Sequence, residues 1–198
     1  MQTELYTRTA RILHWLIGLA VLAQITLGLW MITIPKTPPG VRAGWFNVHK
    51  SIGITLAVLI LARVIWRLAH RAPPLPATMP KWQRVAAKAN HVLLYACMIV
   101  MPVSGYLGSS FTKYPILYWG IKLPQWGWDS PALKDLMSEV HFTTVIIFIA
   151  LIAVHVAAAL KHWLVDRDGI IERMWFGPPV ETTAPPLVPG ERAAQGAD

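Results

Sequence analysis

The sequence predicts an all-α integral membrane protein, a four-helix bundle with both termini on the cytoplasmic side. Three observations predict it. Of the 198 residues, 55% are hydrophobic and only 14% charged, where soluble domains carry about 25% charged residues. Four stretches are long and apolar enough to cross a bilayer core, which at about 30 Å takes roughly 20 helical residues. The basic residues gather mainly in the connections on one side of those stretches, the bias that sets membrane orientation.

The first span runs from about Ile12 to Ile34 (ILHWLIGLAVLAQITLGLWMITI). Arg8 and Arg11 ahead of it resemble the start of a secretory signal. The run is too long for the apolar region of one and lacks a small-residue cleavage site, so it reads as a retained helix. The second span, about Val48 to Leu68, opens VHKSIGITLAVLILARV. The connection from Ala69 to Ala89 contains RAPPLPATMP and reads as an extended cytoplasmic linker. The third span, about Asn90 to Leu107 (NHVLLYACMIVMPVSGYL), is interrupted by Pro102 and Gly105. Membrane helices accept such breaks where neighbours satisfy the freed backbone. The loop from Gly108 to Ser138 carries Trp119, Trp126 and Trp128 and is expected along the outer membrane surface, where indole rings anchor. The fourth span, about Val140 to Leu160, is VHFTTVIIFIALIAVHVAAAL. The sequence thus divides into a membrane domain, residues 1–176, and a Pro-rich tail, residues 177–198, expected to be disordered.

Arg8, Arg11, Arg67, Arg71, Lys81, Arg84, Lys88, Lys161, Arg167, Arg173 and Arg192 fall on one side of the spans. Lys36, Arg42, Lys50, Lys113, Lys122 and Lys134 fall on the other. The richer side is the cytoplasm by the positive-inside rule. The same distribution accounts for the net charge of +8 without nucleic acid, because the cations flank membrane spans instead of forming one basic face. The single cysteine, Cys97, excludes an internal disulfide, a thiolate zinc site and iron–sulfur ligation within one chain. Metal chemistry is left to the seven histidines.

Polar side chains inside a membrane are costly and mark function by default. His141 and His155 lie fourteen residues apart on the fourth span, within about 40° of one face and about 21 Å apart along the axis. Alternating helix directions put His49 at the outer level with His141, and His14 at the inner level with His155. Two imidazole pairs result, at two depths. Haem is the economical occupant, since its iron takes two axial nitrogens and its macrocycle suits a bundle core. No CxxCH sequence is present, so the haem would be non-covalent and b-type. Gly18, Gly53 and Ala159 each lie four residues from a candidate ligand, on its face, leaving room for a flat ring.

The plain alternative for any one of these histidines is interfacial anchoring. His91, at the inner start of the third span, is an alternative to His14 as ligand. His70 reads as solvated. His162, one heptad after His155, is a candidate contact for a quinone head group. Arg63 shares a face with His49 and reaches the inner level, where it would pair with a haem propionate or snorkel to the surface. Lys50 and Arg42 are the corresponding propionate candidates at the outer level.

The segments RTARILHWL, VHKSIGITLAVLILARVIWRL, NHVLLYA with PVSGYL, and VHF followed by VHVAAALKHWLVDRDGIIERMW resemble the bacterial cytochrome b561 family of four-helix, two-haem membrane proteins. The resemblance covers about residues 8–175. It implies two haem b groups ligated by His14, His49, His141 and His155, an inner-membrane location and electron exchange with quinone, ubiquinone in the first instance. For some relatives it implies oxidation of superoxide at the outer face, which would make the chain a superoxide:ubiquinone oxidoreductase. The expected function is therefore electron transfer between a small periplasmic one-electron partner and the quinone pool. Two alternatives stand beside it: the haem-b membrane subunit of a larger dehydrogenase or hydrogenase, which would bring a partner redox subunit, and a haem-free proton or metal transporter lined by histidines.

Overall fold

The computed structural model describes residues 5–38, 40–75 and 79–176; the tail expected to be disordered lies outside them. Four helices dominate: α1 (Arg8–Met31), α2 (Val41–Ala69), α3 (Lys81–Ser110) and α4 (Pro131–Lys161), with a two-stranded hairpin, β1 (Ile116–Tyr118) and β2 (Ile121–Leu123), between α3 and α4. All four are long and apolar enough to span a membrane. Their outward faces carry large apolar side chains in the open, among them Leu19, Val58, Leu61 and Val92, each at least 60% exposed. A surface of this kind is solvated by lipid, not water.

Local chemistry sets the helix ends. The Thr7 hydroxyl accepts from the Ala10 amide at 3.3 Å, and Ser130 caps α4 through the Leu133 amide, with Pro131 in its first turn. All four helices begin earlier than the apolar runs: α1 at Arg8, α2 at Val41, α3 at Lys81 and α4 at Pro131. Hydropathy marks only the lipid-embedded length, and these polar first turns extend beyond it. The extended linker expected from Ala69 to Ala89 is correspondingly shorter, because Lys81 to Ala89 is helical.

The hairpin turns at Trp119 and Gly120, both at positive φ (48° and 90°), the conformation a two-residue type I′ connection requires. It lies against α2. Ser51 Oγ accepts from the Trp119 amide at 2.9 Å, and the Tyr118 and Thr55 hydroxyls are 3.3 Å apart. Ile116 beneath it is almost wholly buried. This marks the hairpin end of the bundle. At the terminal end, the segment after α4 folds back on α1: Trp15 Nε1 donates to the Met174 carbonyl at 2.8 Å and Arg11 Nη1 to the Trp175 carbonyl at 2.7 Å.

Helix α1 packs closely on α2, α3 on α4, and α2 on α3. Neither α1 nor α2 closes on α4 in that way. The buried core (Ile17 and Val21 from α1, Leu56 and Ile60 from α2, Cys97 from α3, Phe148 from α4) forms one cluster at mid-height, so an apolar belt divides the bundle interior into two levels.

Candidate functional site

One imidazole pair lies on each side of that belt. Toward the hairpin end, the rings of His49 and His141 have centroids 6.3 Å apart and planes at 77°. Toward the terminal end, His14 and His155 are 6.1 Å apart at 78°. In each pair one ring comes from α4 and the other from a helix that stands off from it. The two levels follow from residue spacing, since fourteen residues of helix separate His141 from His155 as antiparallel packing separates His49 from His14.

Whether these residues fit a haem iron can be tested on their geometry. A metal–nitrogen bond of about 2.0–2.1 Å, with about 1.1 Å from nitrogen to centroid in a five-membered ring of bonds near 1.33 Å, places two opposed imidazoles about 6.3 Å apart. Both pairs match. Edge-to-face ring packing also spans about 4.5–7 Å, so distance alone does not separate the two. Hydrogen bonding adds to it. His141 Nδ1–H donates to the Met101 carbonyl at 3.0 Å, with Ser104 Oγ 3.1 Å away. That fixes the proton on Nδ1 and leaves the Nε2 lone pair free, as in metal-ligating histidines. His49 Nδ1 is buried without a hydrogen-bond partner, a state costing about 1–3 kcal/mol. Neither α1 nor α2 packs on α4 as closely as the two pack on each other. The donor set fits.

The remaining sequence candidates are placed as follows. His91, exposed on α3, also meets His155, at 5.3 Å, about 1 Å short of the spacing of two rings across a metal. Its Nδ1–H donates to the Ala87 carbonyl at 2.6 Å. His14 is the better opposed ring. Arg63 donates through Nη2 to His14 Nδ1 and through Nη1 to the Ala10 carbonyl, both at 3.2 Å, so it sits on the imidazole itself. Arg42 lies over the Phe46 ring at 5.5 Å, and Lys50 is half-buried beside His49. His162 opens a π-helical turn, His162–Asp166; its Nδ1–H is held by Asp168 at 2.7 Å and by Asp166 at 3.1 Å. Lys161 pairs with the same Asp166. His70 is exposed and stacked on Trp66 at 3.9 Å.

Of the small residues read as leaving room for a flat ring, Gly18 has open space beside it, and the glycines that touch the imidazoles themselves are two others. A Cβ on Gly18 would meet nothing within 4 Å, and one on Gly53 would face the Gln24 amide. Gly28 and Gly105 instead lie against the His49 and His141 rings. Sequence reasoning also missed Gln24, whose Nε2 donates to the His49 carbonyl at 2.6 Å, and Ser104. The available signal was a lone amide and a lone hydroxyl inside apolar runs.

Comparison with known proteins identifies the family. The sequence profile of the prokaryotic cytochrome b561 family matches residues 5–177. The chain is 34% identical over 177 residues to cytochrome b561 homolog 2 of Escherichia coli K12, covering 86% of this chain and 91% of that one. To cytochrome b561 homolog 1 of the same organism it is 27% identical, with 85% and 96% covered. To the probable superoxide oxidase CybB of Yersinia pestis it is 25% identical, with 82% and 90% covered. Four spanning helices with imidazoles facing one another at two depths, and a profile match from end to end of the described chain, place this protein in the prokaryotic cytochrome b561 family of bacterial inner-membrane haem proteins.

Proposed function

We propose that the chain conducts electrons across the membrane through two haem b groups, one held by His49 and His141 and the other by His14 and His155. The observation that supports this most is the pair of matched imidazole couples separated by an apolar belt. Bound haem would supply one-electron cycling between ferric and ferrous iron. The chain's own residues do the rest. Met101 and Ser104 hold His141 in the ligating tautomer, Arg63 places a cation on His14, and the belt around Phe148 keeps water from the space between the levels.

The distribution of Lys and Arg supports a bundle whose hairpin end faces the periplasm and whose terminal end faces the cytoplasm. A small one-electron partner then reacts at the hairpin end, and a membrane quinone exchanges electrons and protons with the chain. His162, its Nδ1 committed to Asp168, keeps Nε2 for a quinone oxygen. The relative named as a probable superoxide oxidase supports superoxide as the small partner and ubiquinone as acceptor.

Pyridine haemochrome analysis of the purified chain is expected to give two haems per polypeptide. His141→Ala should lose one and keep the other, and His14→Ala should lose the one that His141→Ala keeps. A chain that retains both haems in either variant refutes the assignment, and one that binds none refutes the electron-transfer reading.

A further inference from the structure

Both rings at the hairpin end rest on the backbone of a neighbouring helix. A Cβ on Gly28 of α1 would lie 3.1 Å from Cε1 and 3.6 Å from Nδ1 of His49; one on Gly105 of α3 would lie 3.2 Å from Cε1 and 3.4 Å from Nδ1 of His141. Neither glycine has the positive φ of Gly40, Gly120 and Gly169, so backbone conformation does not require them. Glycine inside a helix costs stability relative to alanine. What these two provide is space for a ring. No equivalent seat is found at the other level among the described residues, where Gly18 faces nothing within 4 Å and Arg63 steadies His14 from the side.

We infer that Gly28 and Gly105 are positioning residues that set the orientation of the two imidazoles at the hairpin end, and that Gly105 does so more stringently. The inference rests on the haem reading above. The asymmetry follows from what else holds each ring. His141 is clamped by the Met101 carbonyl and Ser104, so a methyl group at position 105 can move it only by breaking that clamp. His49 Nδ1 has no hydrogen bond, so the ring can swing a few tenths of an ångström away from a methyl at position 28. The angle between two axial imidazole planes, here 77°, governs the splitting of the iron dπ orbitals. It therefore sets the field at which a low-spin ferric haem resonates.

The test uses the purified full-length holoprotein and the variants Gly28→Ala, Gly105→Ala and, as control, Gly44→Ala, where a Cβ meets nothing. Haem content and low-temperature electron paramagnetic resonance of the oxidised protein are measured. The hairpin-end signal is identified as the one missing from His141→Ala. That resonance is expected to move in Gly105→Ala, to move less in Gly28→Ala and to stay in place in Gly44→Ala, while the second haem's signal is unchanged in all three. Loss of the hairpin-end haem alone from Gly105→Ala is the extreme of the same displacement and supports the inference. An unmoved signal in a two-haem Gly105→Ala protein overturns it. So do equal shifts in the two variants, and so does a shift or loss that affects both haems. A wild-type chain without haem overturns the underlying reading as well, which distinguishes the two failures.

Discussion

Arg63 and Met101 meet ligand-level imidazoles in opposite ways. At His141 a neutral carbonyl accepts a proton; at His14 a guanidinium donates. A cation beside a haem ligand favours the less positive ferrous state, so Arg63 would raise the potential of a haem held by His14. Two unit charges 4 Å apart interact by about 4 kcal/mol at an effective dielectric near 20. An iron held on the far side of the ring would be about twice as distant, which reduces this to roughly 2 kcal/mol. Arg63→Gln is therefore expected to lower the midpoint potential of the haem that depends on His14, with Arg63→Lys intermediate and the other haem unaffected. A spectroelectrochemical titration of the purified variants checks this, and coincident curves would mean that solvent or a propionate already screens the charge. The histidines and Arg63 were legible in the sequence because an ionisable side chain in an apolar run has few other reasons to be there. Gly28, Gly105, Gln24 and Ser104 were not, because their roles depend on the azimuth at which one helix meets another. A periodicity within one helix does not contain that angle.

At the scale of elements, α3 is interrupted in sequence by Pro102 and Gly105 and yet grips the ring of His141. Pro102 removes the donor that the Met98 carbonyl would otherwise meet, yet α3 runs through it without interruption; the Met101 carbonyl reaches the His141 ring while Ser104 bonds back to Val100 and Met101. The hairpin was not legible as strands, since three-residue strands in a Trp- and Pro-rich loop carry too little alternation to register. Its seat is also non-local: Ser51, buried on α2, receives the amide of Trp119, which sits in a left-handed conformation that is uncommon for a bulky residue. Ser51→Ala leaves that amide without a partner, at a cost of about 1–3 kcal/mol. Hydrogen exchange at residues 116–123 is expected to accelerate roughly ten-fold or more, with the α2 amides near Leu56 unchanged. Unaltered hairpin exchange would show that Ile116 burial alone holds it.

The whole molecule is asymmetric in charge from end to end, and this bears on what reacts where. At the hairpin end Lys36, Arg42, Lys50, Lys113, Lys122 and Lys134 outnumber Asp129, Asp135 and Glu139, although Lys134 is already paired with Asp135 at 2.7 Å. Exposed cations on a low-dielectric bundle concentrate small anions and speed their encounter. The screening length shrinks from about 30 Å at 0.01 M salt to about 8 Å at 0.15 M, from spanning the whole loop surface to spanning little more than a single side chain. If superoxide delivers its electron at this end, becoming dioxygen, the bimolecular rate of haem reduction should fall several-fold across that range. Reduction by a neutral donor of similar size should hardly change. Stopped-flow reduction of the oxidised protein distinguishes the cases. Lys122→Glu, on the exposed strand β2 and in contact with neither imidazole level, should lower the superoxide rate at low salt and converge on wild type at high salt. A superoxide rate indifferent to salt would mean that the cations serve membrane anchoring and orientation alone, and the steering role would have to be abandoned while the two-haem path through the bundle stood unaffected.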